Sequence, residues 1–348
     1  MSGDRLKPAL DVPIPGCNWL IRFDDAGAAE AGSLADLQRV AAGAPGYIWL
    51  HLDRTDTRVG TYLAGLNWLN AEAREALAGA IDHQFVDHVD NILSGAIVDH
   101  QHAFEGVHSE TDFLRFAVGR NFIVTARRSP LYAPQAVRHN LSDGVKIASP
   151  DALFECLVSR VCDCSAYMLR EIADTLDKIE ENVVIEGRGR DQRAALGRAR
   201  RKTVRLSRQV SGLQSTMMRL EEATEAPEHS ELSDLAASLG QRADSLGRDA
   251  TNLQDRARVL QEEINAILAL ETNDRLYMLT ILTAVLLPAT FVTGYFGMNT
   301  KNLIFSESES GTIYATIMCM VASVGAIFLM RRLGITEASQ TRRQERKD

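Results

Sequence analysis

Several features that mark common classes of protein are missing from this sequence. Its 348 residues include five cysteines, an odd and scattered set, which excludes a disulfide framework and favours a reducing compartment. The N-terminal segment lacks the apolar core of a secretory signal peptide. No phosphate-binding loop, nucleophile elbow, HExxH motif or paired-carboxylate pattern is present. We therefore expect a protein that is not an enzyme and carries no prosthetic group.

Nucleic acid is not an expected partner either. The formal net charge of −8 disfavours attraction to a polyanion. One segment, residues 187–208, is rich in arginine and contains a single acid, Asp191, but it has no aromatic residues for base stacking. The nearby stretch 171–182 is acidic. We expect the two stretches to pair as neighbouring antiparallel helices.

Long uncharged runs occur only near the end of the chain. Residues 276–296 and 312–330 contain no charged residue, and each approaches the ~20 residues that a helix needs to cross a bilayer. The segment between them has one basic residue, Lys301. The segment after the second run has six, namely Arg331, Arg332, Arg342, Arg343, Arg346 and Lys347. The positive-inside rule then predicts two spans with both termini in the cytoplasm and the connecting loop outside.

The remaining chain divides into two regions, so that four segments are expected in all. Residues 1–150 alternate short strands and helices and predict an α/β domain, with a hairpin in 112–127 that turns at 119–121. Residues 151–275 predict a stalk of helices that break near 186 and near 224. The hairpin of spans occupies 276–330, and a basic tail, 331–348, completes the chain.

The third stalk helix carries a heptad pattern. Leucine or isoleucine recurs every seventh residue, and alanine or isoleucine follows four residues later; the two series are Leu232, Leu239, Leu246, Leu253, Leu260, Ile267 and Ala236, Ala243, Ala250, Ala257, Ile264. This spacing predicts a coiled-coil seam, and the alanines allow a neighbouring backbone to approach closely. We expect this seam to pack on the two preceding helices. Because nothing breaks the pattern, the helix should continue into the first apolar run.

A second stripe lies on the opposite face of the same helix. It consists of Asn273, Leu276, Thr280, Thr283, Leu287 and Thr290, preceded by Asp255 and Glu262. Threonine in a membrane helix can simply bond to its own backbone, which is the plainer interpretation. The continuity of the stripe favours a water-lined path. Since two spans cannot enclose a pore, this interpretation requires an oligomer with one such helix from each subunit around an axis.

The first span ends in "GYFGMN", and a second short span and a basic tail follow. This arrangement resembles the CorA-type divalent metal ion transporter superfamily, and "LDRTD" and "TGYFGMNT" are most similar to the ZntB-type zinc transporters. The resemblance implies a homopentameric funnel in the bacterial inner membrane, with a pore lined by the first span, that takes up zinc. Gly297, Met298 and Asn299 would form its outer mouth and selectivity site. The stripe would line the pore, with Glu262 and Asp255 in a cytoplasmic vestibule.

The cation and the mechanism stay open at this point. The motif is followed by "TKNLIF" without the proline that is common in the family, and the acids Glu307 and Glu309 come only later. Magnesium, cobalt or nickel are the alternative cargoes, and both a channel and a proton-coupled carrier fit the sequence, as do import and export. A different class of function is a membrane-anchored cytoplasmic oligomer that senses metal without transporting it.

A histidine-rich segment offers a possible second metal site. Five of the eight histidines fall between residues 83 and 108, among several aspartates. Imidazole and carboxylate suit zinc, so His83, His88, His100 and His102 are the candidate ligands. Their spacing matches no known zinc motif, and surface histidines in an acidic loop are the alternative.

Overall fold

The computed structural model of the protein describes residues 14–41, 43–103, 106–184, 189–224, 230–298 and 311–332. By its internal contacts the chain forms two units, Met1–Gln261 and Glu262–Asp348. The strands are β1 Cys17–Phe23, β2 Ala29–Ala31, β3 Tyr47–Asp53, β4 Phe85–Val89, β5 Ile92–Ala103, β6 Gly106–Gly119 and β7 Phe122–Arg127. The helices are α1 Leu34–Ala41, α2 Arg58–Ala64, α3 Ala71–Ala78, α4 Tyr132–Ser142, α5 Pro150–Val184, α6 Gly189–Ala223, α7 Ser230–Phe296 and α8 Gly311–Arg332.

The seven strands form one sheet in the order β2-β1-β3-β7-β6-β5-β4. Only β3 and β7 are parallel; the other neighbours are antiparallel. The predicted hairpin is confirmed, since Gly119 pairs with Phe122 across the turn between β6 and β7. An α/β architecture for the N-terminal region is therefore correct.

Strand β4 was not expected from the sequence. Its residues Asp87 and His88 interrupt the apolar alternation that marks a half-buried strand. The turn from β4 to β5 is formed by Asp90 and Asn91, whose φ angles of 51° and 59° match a two-residue type I′ hairpin. This turn pair was the available signal for a strand on each side.

The three long helices begin and end close to the predicted breaks, and the seam of α7 is confirmed. Ala236, Ala243, Ala250 and Ala257 are fully buried, and Leu239, Leu246 and Leu260 are nearly so. Both preceding helices contact α7, because Arg256 pairs with Asp177 and Glu180 of α5, and Gln214 of α6 donates to Asp244.

Helices α5 and α6 contact each other as expected, but the charges of the two stretches do not pair with each other among the described residues. Within the described residues, the α5 acids Asp177 and Glu180 pair with Arg256 of α7 instead, and Asp163 pairs with Arg242 of the same helix. The cations of the first half of α6 form no ion pair in this part of the chain and are all exposed, namely Arg193, Arg198, Arg200, Arg201, Lys202, Arg205 and Arg208. The apolar face of α6 points inward, so its cations point to solvent rather than to α5.

A buried polar network lies within the sheet. Arg127 Nε donates to His51 Nε2 at 3.1 Å, so the proton of the neutral imidazole is on Nδ1, 2.7 Å from Thr125 Oγ1. The Trp19 ring stacks on His51 with centroids 4.1 Å apart. Burial lowers the pKa of His51 well below its usual range, and the charges of Arg127 and Arg138 lower it further. The ring therefore folds in its neutral form.

Enlarging a seam alanine should destabilise the protein. We expect Ala250→Leu to lower the free energy of unfolding by about 1–3 kcal/mol, because the side chain is fully buried and no space is available. Thermal unfolding of the detergent-solubilised protein measures the effect. Ser245→Leu, on the exposed side of the same helix, is the matched control, and equal melting temperatures of the two variants would contradict the close packing.

The neutral state of His51 predicts a specific dependence on pH. As the pH falls below 6.5, the unfolded chain takes up a proton at His51 that the folded chain does not, so stability is lost toward acid. We expect the melting temperature of wild type to fall more steeply between pH 7 and pH 5 than that of His51→Gln. Parallel curves for the two proteins would show that His51 is protonated in the folded state.

Candidate functional site

The C-terminal half of α7 is the strongest candidate for a membrane span. Among the described residues, it is the one helix both long and apolar enough to cross a bilayer, and α8 contributes a shorter apolar stretch, Ile313–Leu329. Only 6% of the apolar window in α7 is buried. A core helix of a soluble protein would be mostly buried, so this alternative does not fit.

Helix α8 packs against one side of α7. The half-buried or buried positions of α7 in this region recur at intervals of one, three or four residues, at 281, 284, 285, 288, 289, 292 and 296. Two hydrogen bonds join the helices, from Ser323 Oγ to the carbonyl oxygen of Val285 at 3.2 Å and from Cys319 Sγ to that of Ala289 at 3.8 Å. Sequence periodicity did not single out these two donors. In the sequence they could have been recognised only as polar side chains within an apolar run.

The predicted stripe lies on a different face of α7. All six of its residues are exposed on the single chain, namely Asn273, Leu276, Thr280, Thr283, Leu287 and Thr290. Leu276 and Leu287 are 57% and 65% exposed, and leucines off the stripe such as Leu279 are exposed to a similar extent, so exposure alone does not distinguish the stripe. At 3.6 residues per turn the stripe lies roughly opposite the α8 contact. The structure therefore brings these residues together on one face that no described part of the chain covers.

The three stripe threonines bond to their own helix. Thr280, Thr283 and Thr290 donate their hydroxyl hydrogens to the carbonyl oxygens four residues earlier, at 2.9, 2.7 and 2.9 Å. The plainer interpretation, that these threonines bond to their own backbone, therefore describes their hydrogen bonds correctly. It does not exclude a path, because a hydroxyl that donates its hydrogen keeps lone pairs for a cation or its water. The three oxygens can act as acceptors along the exposed face.

The motif at the outer end is only partly described. Helix α7 ends at Phe296, after which Gly297 N–H donates to the carbonyl oxygen of Thr293 at 2.9 Å. A Cβ at Gly297 would lie 3.1 Å from that oxygen, which favours glycine at this close approach. The side chain of Met298 is 48% exposed. Asn299 lies outside the described residues, as do the loop acids Glu307 and Glu309.

The two acids assigned to a vestibule are exposed. Asp255 Oδ1 lies 3.9 Å from Arg258 Nε, and both side chains are more than half exposed, so the pair is weak. Glu262, two turns further along α7, is exposed as well. The carboxylate of Asp255 therefore stays accessible to water and to ions.

The histidines do not converge in the described part of the chain. His83 precedes β4, His88 lies on β4, and His100 and His102 lie on β5, where the side chain of His102 is outside the described residues. No group of three or more described His, Cys, Asp or Glu side chains is placed to hold a metal. A zinc site at these histidines stays a prediction. The alternative of surface histidines in a loop is wrong for His100, which is buried in a strand.

The buried acid beside His100 already has a structural role. The carboxylate of Asp99 accepts hydrogen bonds from the backbone N–H groups of His100 and Ala133, both at 2.8 Å, and thereby caps the first turn of α4. Burial raises the pKa of Asp99 to about 7. Its oxygens are directed toward the helix terminus rather than toward the other histidines.

Comparison with known proteins gives a consistent result. The profile of a family described as CorA-like Mg²⁺ transporter protein matches residues 45–332. The zinc transport protein ZntB of Yersinia enterocolitica is 23% identical over 296 residues, covering 81% of this chain and 86% of its own.

Two solved structures share the fold over nearly their whole length. Full-length CmaX superposes with a TM-score of 0.78 at 20% identity, covering 93% of this chain and 99% of its own. The CorA magnesium transporter of Methanocaldococcus jannaschii superposes with a TM-score of 0.69 at 14% identity, covering 90% of this chain and 98% of its own. At these identities the superpositions establish the fold. Since the family profile extends from β3 through the stripe of α7 to the end of α8, the chain belongs to the family of CorA-like Mg²⁺ transporter proteins.

Proposed function

We propose that this member of a divalent-cation transporter family takes up zinc through a pore lined by α7. The observation that carries the proposal is the face of six residues from Asn273 to Thr290, exposed on the single chain and directed away from α8. The hydroxyl oxygens of its three threonines keep lone pairs that can accept hydrogen bonds from water or bind a cation. Lipid needs no such acceptors, whereas a hydrated cation does.

One α7 helix cannot surround a pore, so the stripes of several subunits are needed to enclose it. We propose a homopentamer in which five α7 helices surround the axis, with α8 on the lipid side. Residues 276–296 and 312–330 then both span the bacterial inner membrane, and the termini lie in the cytoplasm because the basic residues are concentrated after the second span. Glu262 and Asp255 would raise the local cation concentration at the cytoplasmic end of the path.

The stripe combines threonines with leucines, and each kind of side chain has a function in this proposal. Threonine oxygens provide successive binding positions for the cation or its water along the pore. Leu276 and Leu287 provide apolar rings that can close the path by excluding water. At the outer mouth, Gly297, Met298 and the Asn299 amide would bind the cation with its water shell, which suits divalent ions that dehydrate reluctantly.

The choice of zinc rests on the ZntB relative, and magnesium, as in the family description, is the alternative cargo together with cobalt and nickel. The stripe from Asn273 to Thr290 contains no titratable side chain. A proton-coupled mechanism would therefore need a coupling group elsewhere, and a channel needs none.

Cation flux into liposomes is the direct test. We expect purified protein to admit zinc faster than magnesium, cobalt or nickel, with and without an imposed pH gradient, and Asn299→Ala to reduce the flux to near that of protein-free liposomes. Flux equal to protein-free liposomes for every cation would refute transport and favour a metal-sensing anchor. Normal flux in Asn299→Ala would remove the role assigned to the motif.

The stripe itself is tested by removing one oxygen. Thr283→Val is nearly isosteric, and we expect it to reduce flux at least about fivefold, the equivalent of one hydrogen bond of about 1 kcal/mol. Thr293→Val is the matched control, because Thr293 is exposed and bonded to its own helix but lies off the stripe. Equal fluxes in the two variants would show that the path does not follow the stripe.

A further inference from the structure

The face of α8 that meets α7 consists of small residues. Its half-buried positions are Ala315, Cys319, Ala322, Ser323 and Ala326, whereas the neighbouring large side chains are exposed. Small residues at such spacing let two membrane helices approach until side chains reach the opposite backbone. This close approach permits the two interhelical hydrogen bonds.

Both bonds end on the main chain of α7, on the two sides of a proline. Ser323 Oγ reaches the carbonyl oxygen of Val285 and Cys319 Sγ reaches that of Ala289, so the acceptors enclose Pro288. Proline has no N–H, and the carbonyl oxygen of Ala284 therefore lacks its usual partner four residues later. The helix is therefore weakened at this turn. Neither interhelical bond reaches the Ala284 oxygen; they hold the carbonyl groups on either side of the weakened turn instead.

The direction of the Ser323 bond is informative. A serine in a membrane helix can satisfy its hydroxyl by donating to its own backbone, as Thr280, Thr283 and Thr290 do in α7. Ser323 instead donates to the other helix. Simple packing would be served equally well by alanine, which already occupies three of the five contact positions.

The opposite side of the same turn carries the stripe. Leu287 is adjacent to Pro288, Thr283 lies about a turn and a half before it, and both point away from α8. A shift of the α7 backbone toward or away from α8 would therefore move Leu287 away from or toward the axis. Because Leu287 lies between two threonines of the stripe, its position would set the width of the proposed path at this level.

We propose that Ser323 and Cys319 of α8 are positioning residues for transport, which fix the Pro288 turn of α7 and thereby set the opening at Leu287. The inference rests on the proposed function, since it needs the stripe to line the path. Neither side chain touches the cation. Helix α8 is in this view part of the transport machinery and not only an anchor.

The test reads the position of Leu287 independently of flux. In full-length protein in liposomes, a Leu287→Cys thiol is introduced in a Cys319→Ser background, which keeps a donor at 319. Its reaction rate with a small water-soluble thiol reagent is followed by peptide mass spectrometry. We expect Ser323→Ala to change this rate, and the zinc flux, by about threefold, as loss of an average interhelical hydrogen bond would. Val324→Ala, an exposed neighbour on α8, should change neither.

The outcomes separate the two proposals. If the Leu287→Cys thiol is not modified in any background, the position does not face water and the proposed pore is wrong. If it is modified at the same rate with Ser323 and with Ser323→Ala, the pore stands and the positioning role is refuted. If the Ser323→Ala protein does not assemble, the second donor is tested instead by comparing Cys319→Ala, which lacks the donor, with Cys319→Ser, which keeps one. Equal modification rates of the Leu287→Cys thiol in these two backgrounds would refute the positioning role in the same way.

Discussion

Polar groups without access to water are costly unless they find partners inside the protein, and this constraint shapes both units of the chain. In the N-terminal domain, Arg115 donates to the carbonyl oxygen of Ala76, and Arg54 donates to that of Gly79, so the C-terminal end of α3 is satisfied by side chains from the sheet side. The neutral His51 is held between Arg127 and Thr125 for the same reason. Leaving such a group buried and unpaired would cost about 1–3 kcal/mol.

The constraint is stricter in the apolar helices, because lipid supplies no partner at all. There the threonines of the stripe turn their hydrogens inward to their own backbone and keep only oxygen lone pairs on the surface. The threonine positions of this face therefore act as acceptors, which suits a cation or its water shell. One hydrogen-bonding requirement thus accounts both for the stability of the helix and for the chemical character of its exposed side.

The periodic spacing of apolar residues predicted those helices and strands in which one face is buried and the other is exposed. The heptads from Leu239 to Leu260, the hairpin of β6 and β7, and the stripe of α7 all have such two-sided patterns. Strand β4 was not predicted because Asp87 and His88 disturb the alternation. The ion pairs of the α5 acids with α7 were not predicted because charge composition does not reveal which way a helix face points. The fold and the common exposed face of the six stripe residues were thus predictable, whereas the role of the stripe stays a prediction. The histidines near β5 could not be placed without the strand register.

The contact between α7 and α8 could not be predicted by periodicity, for a physical reason. Both helices are apolar on most sides here, so hydrophobicity does not distinguish the packed face from the lipid face. The packed face of α8 differs from the lipid face in side-chain size and in hydrogen bonding. Its alanines let the backbone of α7 approach closely, and its two donors, Ser323 and Cys319, reach carbonyl oxygens of that backbone. Ser323 bonds to the turn of α7 that Pro288 weakens, so the two residues lie at the same depth of the helix pair. The positioning role proposed for Ser323 thus connects residues that are 35 positions apart in the sequence.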